Sequence, residues 1–287
     1  MPRVALATCS ALPDLDPDEA LVLAPLRSRG VEAEAAVWDD PHVDWDSFDA
    51  TLVRCTWDYQ DRRDEFVDWA RRTPRLHNCA EIVEWNTDKR YMRDLETAGV
   101  PVVPTAWLPP GDEVRLPETG EWVLKPSIGA GSRGAGRFQL DRADHYELAL
   151  SLVEGLHASG RTVMAQPYQV EVDVAGEKAL LYAGGDYSHA INKAALLDGP
   201  AGPDDVEFYK AERISPAEAT AAECELAEAT LKAVPGGADQ LLYARVDVVG
   251  EGDAVRVLEL EVAEPSMFYG HAPGSAERMA DAVAGLF

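Results

Sequence analysis

Arg245-Val-Asp247 and, one short turn later, Glu259-Leu-Glu261 constrain this chain more than any other stretch. Residues two apart on a strand point the same way, so Glu259 and Glu261 share one face. Gly250-Glu251-Gly252-Asp253 reads as the turn of an antiparallel ribbon. With Val249 opposite Val255, Asp247 would oppose Val257 and lie diagonal to Glu259, close enough to share an ion. Bare carboxylates repel one another unless a cation or a buried proton resolves them. Oxygen ligands without His or Cys suit Mg²⁺, which usually arrives with a nucleotide. The competing reading is an exposed acidic hairpin on an acidic protein, and the rest of the chain must decide.

With 287 residues the chain can bury a large core and hold two or three subdomains. Its 51 acidic and 26 basic residues give a formal charge of −25, which repels nucleic acid and anionic membranes. An anionic ligand must therefore meet a local basic pocket. No apolar run approaches the roughly 20 residues of a membrane span, and the N-terminus turns polar too soon for a signal peptide. Cys9, Cys55, Cys79 and Cys224 form no CxxC pair, which fits reduced thiols and a cytoplasmic location.

Strands are expected at 3–9, 31–38 and 51–55, with helices at 16–30 and 61–72, a small Rossmann-type sheet without GxGxxG. Asn86-Thr87-Asp88-Lys89 opens a further helix running to Gly99, capped by Asn86 or Thr87. Prolines 101, 104, 109 and 110 mark a connection. A strand at 121–125, a glycine-rich loop over 126–136, a strand at 137–140, a helix over 142–158 and a strand at 162–165 follow. Strands are then expected at 170–174, 178–183 and 188–193. A polar loop at 195–206 is a candidate lid. Helices over 216–234 and 275–287 flank the acidic ribbon.

Several groups along this path have the chemistry of an anion or nucleotide site. The loop holding Ser127, Gly131 and Ser132 lies between two strands, unlike a P-loop, and can fold over polyphosphate with its backbone N–H groups. Lys125 just before it would reach a phosphate as a point charge. Gln166-Pro167-Tyr168 interrupts a strand pattern and could offer backbone groups to an adenine edge, with Asp173 accepting a ribose hydroxyl. His189 and Lys193 sit at i and i+4 on one strand, sharing a face that could line an anionic substrate site. Arg54 and Trp57 lie at the carboxyl end of the third strand, where open α/β sheets bind ligands, and could hold a substrate carboxylate. Each has a plainer reading as loop, surface strand or packing.

In this order, Asn86-Thr87-Asp88-Lys89, Val123-Leu124-Lys125-Pro126-Ser127, Gln166-Pro167-Tyr168, Asp173, Arg245-Val-Asp247 and Glu259-Leu-Glu261 resemble the ATP-grasp superfamily. Trp57-Asp58-Tyr59, Trp85 to Tyr91, Ser188-His189-Ala190 and Glu264-Pro265-Ser266 are similar to the group with the cycloserine-forming cyclo-ligase. The resemblance implies an α/β (α+β) ATP-grasp fold: a Rossmann-like substrate domain over 1–85 and two α+β subdomains, 86–165 and 166–287, clasping ATP. It implies Lys89 and Lys125 on phosphates, with Ser127 and Gly131 in the loop over them. Gln166, Pro167, Tyr168 and Val170 would flank adenine, and Asp173 would meet the ribose. Asp247, Glu259 and Glu261 would hold Mg²⁺ (or Mn²⁺), although many members carry Asn where Glu261 stands. Arg245, Lys193 and Ser132 would touch the reacting groups, and Arg54, Trp57, His189 and Ser266 the substrate. The implied activity is an ATP- and Mg²⁺-dependent carboxylate–amine ligase working through an acyl phosphate on a small amino-acid-like substrate, with an amine as co-substrate. An intramolecular cyclo-ligase and a non-catalytic nucleotide-binding regulator are the alternatives. No nucleic acid or membrane partner is expected, and folds of this look are commonly homodimers.

Overall fold

A computed structural model describes residues 1–197, 199–200 and 213–287. The first sheet joins β1 (Arg3–Thr8), β2 (Glu32–Val37), β3 (Ala50–Cys55) and β4 (Leu76–His77), parallel in the order β2-β1-β3-β4. Around it lie α1 (Leu23–Ser28) and α2 (Arg63–Arg72). Phe66 and Trp69 of α2 bury against Ala7 and Val53 on one face. The 16–30 segment is shorter and more broken than expected: a 3₁₀ turn at Glu19–Val22 precedes α1.

Next come α3 (Ala80–Asn86) and α4 (Tyr91–Thr97). Asn86 thus ends a helix instead of starting one. Neither Asn86 nor Thr87 caps α4; Asp88 accepts from the Arg90 backbone N–H at 3.1 Å. The central sheet takes β5 (Ala106–Leu108), β6 (Glu121–Pro126), β7 (Gly136–Gln139) and, after α5 (Ala143–Ala158), β8 (Val163–Pro167), in the order β5-β8-β6-β7. Leu124, Phe138, Leu152 and Ala165 form its core with α5.

The last part opens with a helical turn, α6 (Val172–Ala175), where alternating valines suggested a strand. Of the three alternating valines only Val172 is buried, beside Val103 and Val249, while Val170 and Val174 are 60% and 93% exposed. β9 (Glu177–Ala183), β10 (Asp186–Lys193) and β11 (Ile214–Ala217) follow, then α7 (Ala221–Lys232), β12 (Tyr243–Val249), β13 (Arg256–Glu261) and α8 (Ser275–Ala284). Pro216 belongs to β11, an edge strand that tolerates it. α7 starts later than expected, after a Thr220/Glu223 capping box. The antiparallel order is β11-β10-β9-β12-β13. One face of this sheet shares a core with the first sheet through Leu6, Leu52, Leu181, Ile191 and Met279. The other packs on α3, α4 and α7 through Ile82, Leu95, Leu180, Leu226 and Val246. The stretch spanning residue 85 therefore contributes to the core of the C-terminal sheet.

Candidate active site

The central sheet and the C-terminal sheet face each other across a cleft of about 370 Å³. β6 and the glycine loop bring Lys125, Gly131 and Ser132 to one wall, and β10, β12 and β13 bring Lys193, Arg245, Glu259 and Glu261 to the other. Trp57 and Asp16 reach in from the first domain.

The acidic ribbon is real, in a different register from the expected one. A bulge between Asp247 and Val248 sets Asp247 directly opposite Glu259 and Arg245 opposite Glu261. Glu259 spans two cations: Lys89 and Lys125 each stand 3.2 Å from one of its oxygens. Burial works against its charge, yet the two lysines hold its carboxyl well below the usual range. Lys89 also donates to the Gly129 carbonyl at 2.5 Å, tying the glycine loop to this centre. Asp247 is buried and occupied, 2.6 Å from Lys193 and 2.9 Å from Arg245, and does not line the cleft. Arg245 also reaches Glu261 at 2.6 Å. Burial pushes Glu261 up to about 8, with Glu259 and Asp247 adding to the effect against Arg245.

Among the described residues no three His, Cys, Asp or Glu side chains stand together as a metal cage. Mg²⁺ seldom requires one, since one or two carboxylates plus substrate phosphates usually suffice. Glu259 and Glu261, both at the cleft, fit that donor set, whereas Asp247 is buried behind Lys193 and Arg245 and does not line it.

At the hinge, Gln166, Pro167 and Tyr168 line the cleft. Val170 points to solvent, and Gln169, which the sequence reading passed over, takes its place. The Tyr168 backbone N–H is used by the Glu121 carbonyl at 2.8 Å. Asp173 binds Arg137 at 2.8 Å and the Tyr168 hydroxyl at 2.6 Å, and does not line the cleft. Ser127 is buried beneath the loop, where its carbonyl accepts from the Lys89 N–H at 2.7 Å. The expected lid at 195–206 lies mostly outside the described residues; Leu196 and Leu197 line the cleft.

Two expected substrate residues are placed elsewhere. Arg54 is 1% exposed and makes a two-pronged pair with Glu19 at 2.6 and 2.8 Å, a bond to the Pro265 carbonyl and a stack on Tyr243. It braces the loop after β13 and does not face the cleft. His189 is also buried off the cleft, bonded to the Met267 carbonyl at 3.0 Å and to Ser188 at 2.9 Å, and burial lowers its pKa to about 4. Trp57 and Ser266 do line the cleft, and Trp57 donates to the Glu264 carbonyl at 3.1 Å. Glu264 is a cleft residue the sequence reading gave no role. Burial raises its pKa, and the Tyr59 hydroxyl bonds its carboxyl. Its spacing, three after Glu261, was the available signal; Asp16 and Glu19, far upstream, carried none.

Residues 4–78 match the family model described as D-cycloserine synthetase DcsG, N-terminal domain. The chain is 35% identical to the cycloserine biosynthesis protein DcsG of Streptomyces lavendulae, over 98% of this chain and 97% of that one. It is similar to the crystal structure of D-cycloserine synthetase DcsG with a TM-score of 0.86 and 33% identity, covering 99% of both. ATP-grasp ligase PsnB shares the fold at a TM-score of 0.63 and 17% identity, covering 99% of this chain and 98% of that one. Two facing sheets with a lysine- and carboxylate-lined cleft between them are the fold of ATP-grasp ligases such as PsnB. The chain belongs to the DcsG family.

Proposed function

We propose that the cleft binds ATP with Mg²⁺ and joins a carboxylate to a nitrogen through an acyl phosphate, on a small amino-acid-like substrate. The observation that carries this is the Lys89–Glu259–Lys125 bridge between the two walls. Phosphates entering there would take over the lysines and free Glu259. Glu259 and Glu261 would then hold Mg²⁺, which supplies charge neutralisation on the phosphates. Gln166 to Gln169 would seat the adenine. Asp173 reaches a ribose only by exchanging its Arg137 bond.

The substrate carboxylate oxygen attacks the γ-phosphorus, the bond to ADP breaks, and an acyl phosphate forms. A nitrogen lone pair then attacks the acyl carbon, phosphate departs, and the nitrogen gives up a proton. Arg245 neutralises charge on the transferring group, and Lys193 is held beside it by Asp247. Ser132 and the glycine loop exclude water from the acyl phosphate. Trp57 and Ser266 line the substrate end. The parts 1–85, 86–165 and 166–287 would serve as substrate domain, loop-bearing wall and carboxylate wall.

Ring closure within one substrate is the second reading, favoured by the full-length likeness to a protein named D-cycloserine synthetase. A homodimer, as is common for the fold, belongs to the same proposal. Glu259→Gln tests the site. Partners of a metal's ligands cost about 10–100-fold when removed, so losing a ligand itself should cut ATP-dependent phosphate release at least about 100-fold, with unchanged circular dichroism. Wild-type turnover in that variant refutes the metal role.

A further inference from the structure

β13 carries Glu259 and ends at Glu261, and it is the edge strand opposite β11 in its sheet. An edge strand offers a row of unpaired N–H and C=O groups. Here that row is filled by one segment, mostly through side chains. Asn86 donates to the Leu260 carbonyl at 2.9 Å and accepts from the N–H groups of Val262 at 2.8 Å and Ala263 at 3.1 Å. The Tyr91 hydroxyl accepts from the Leu260 N–H at 2.9 Å. Farther back, the Val257 N–H donates to the Pro101 carbonyl and its carbonyl accepts from the Val103 N–H, both at 2.9 Å. Asn86 and Tyr91 are 7% and 3% exposed and do not line the cleft.

Lys89 lies between these two residues and stands 3.2 Å from Glu259. The side chains flanking a phosphate-site lysine therefore grip the backbone between the two cleft carboxylates. A turn of chain bonded at Asn86 and Tyr91 cannot shift along β13 without breaking four buried hydrogen bonds. The distance between lysine and carboxylates is thus fixed from outside the cleft.

We propose that Asn86 and Tyr91 are positioning residues for the metal end of the site: they fix Glu259 and Glu261 relative to Lys89, so that phosphate and divalent cation are bound together. This rests on the reading that Glu259 and Glu261 hold the cation. Generic edge protection would contribute only stability. A positioning role contributes to the gain in nucleotide affinity that Mg²⁺ brings.

The test is calorimetry of ADP binding with and without Mg²⁺ in the wild type, Tyr91→Phe and Asn86→Asp, with melting temperatures alongside. Tyr91→Phe keeps the ring and removes one acceptor. Asn86→Asp keeps the shape and removes the donor to Leu260. Partners that orient metal ligands typically cost about 10–100-fold when removed, so the Mg²⁺-dependent gain should shrink by at least about tenfold, while metal-free ADP affinity stays nearly unchanged. If Asn86→Asp does not fold, Tyr91→Phe decides alone. A full Mg²⁺ gain in the folded variants overturns the proposal, as does a parallel fall of both affinities with melting temperature. Absence of any Mg²⁺ gain in the wild type instead overturns the metal reading, and the proposal with it.

Discussion

Arg54 shows how a residue's partner decides its role. Its position at the end of β3 suits a ligand, but Glu19 claims it in the interior. Removing one member of a buried pair leaves the other uncompensated, so Arg54→Met should lower unfolding free energy in urea by about 3–5 kcal/mol. Unchanged stability with a raised KM for the carboxylate substrate would return Arg54 to substrate binding. His189 gives a pH prediction. Its folded pKa, about 4, lies below the ordinary 6.5 because burial disfavours the cation. Its contribution is complete above pH 6.5 and is lost as pH falls toward 4, on the order of 3 kcal/mol at the low end. His189→Gln should flatten urea midpoints measured between pH 7 and 4.5; an undiminished slope would place the titrating group elsewhere. At this scale the sequence shows residue types and their order. It hides partners such as Glu19, 35 residues before Arg54, and Met267, 78 residues after His189.

Elements were legible where the pattern was local. The β6–loop–β7 hairpin, α5 and the β12–β13 ribbon each follow from alternation, glycine spacing or helical periodicity. The bulge beside Asp247 was not legible, because one extra residue in a ladder leaves no mark on the pattern of Val-Asp-Val-Val. It moves Asp247 from a diagonal to a position directly opposite Glu259. The valines at 170–174 misled for the opposite reason, since alternation specifies a strand only where the whole face is covered, and here only Val172 is. Gly176, between α6 and β9, has φ +76°, and a Cβ there would press on the Lys193 carbonyl and the Asn192 side chain. Gly176→Ala should therefore cost roughly 1–3 kcal/mol and weaken ATP binding through displaced Lys193. Both are measurable by thermal melts with and without nucleotide, and a wild-type response to ATP would detach this turn from the site.

Over the whole molecule, charge and fold point the same way. A surface with formal charge −25 leaves Lys89, Lys125, Lys193 and Arg245 gathered around one cleft. The ATP-grasp fold was legible because its motifs come in a fixed order along the chain, and order survives when each motif alone is weak. The packing of α3 and α4 on the C-terminal sheet was not, since it joins residues 82–102 to 180–262. The most direct measurement is incubation with ATP, Mg²⁺ and a panel of amino-acid-like carboxylates, reading nucleotide products, phosphate and product mass together. An acyl-phosphate ligase yields ADP and phosphate in equal amounts with an amide, and a product of substrate mass minus water if the ring closes within one molecule. AMP with pyrophosphate, or ATP bound with no phosphate released on any substrate, would contradict it.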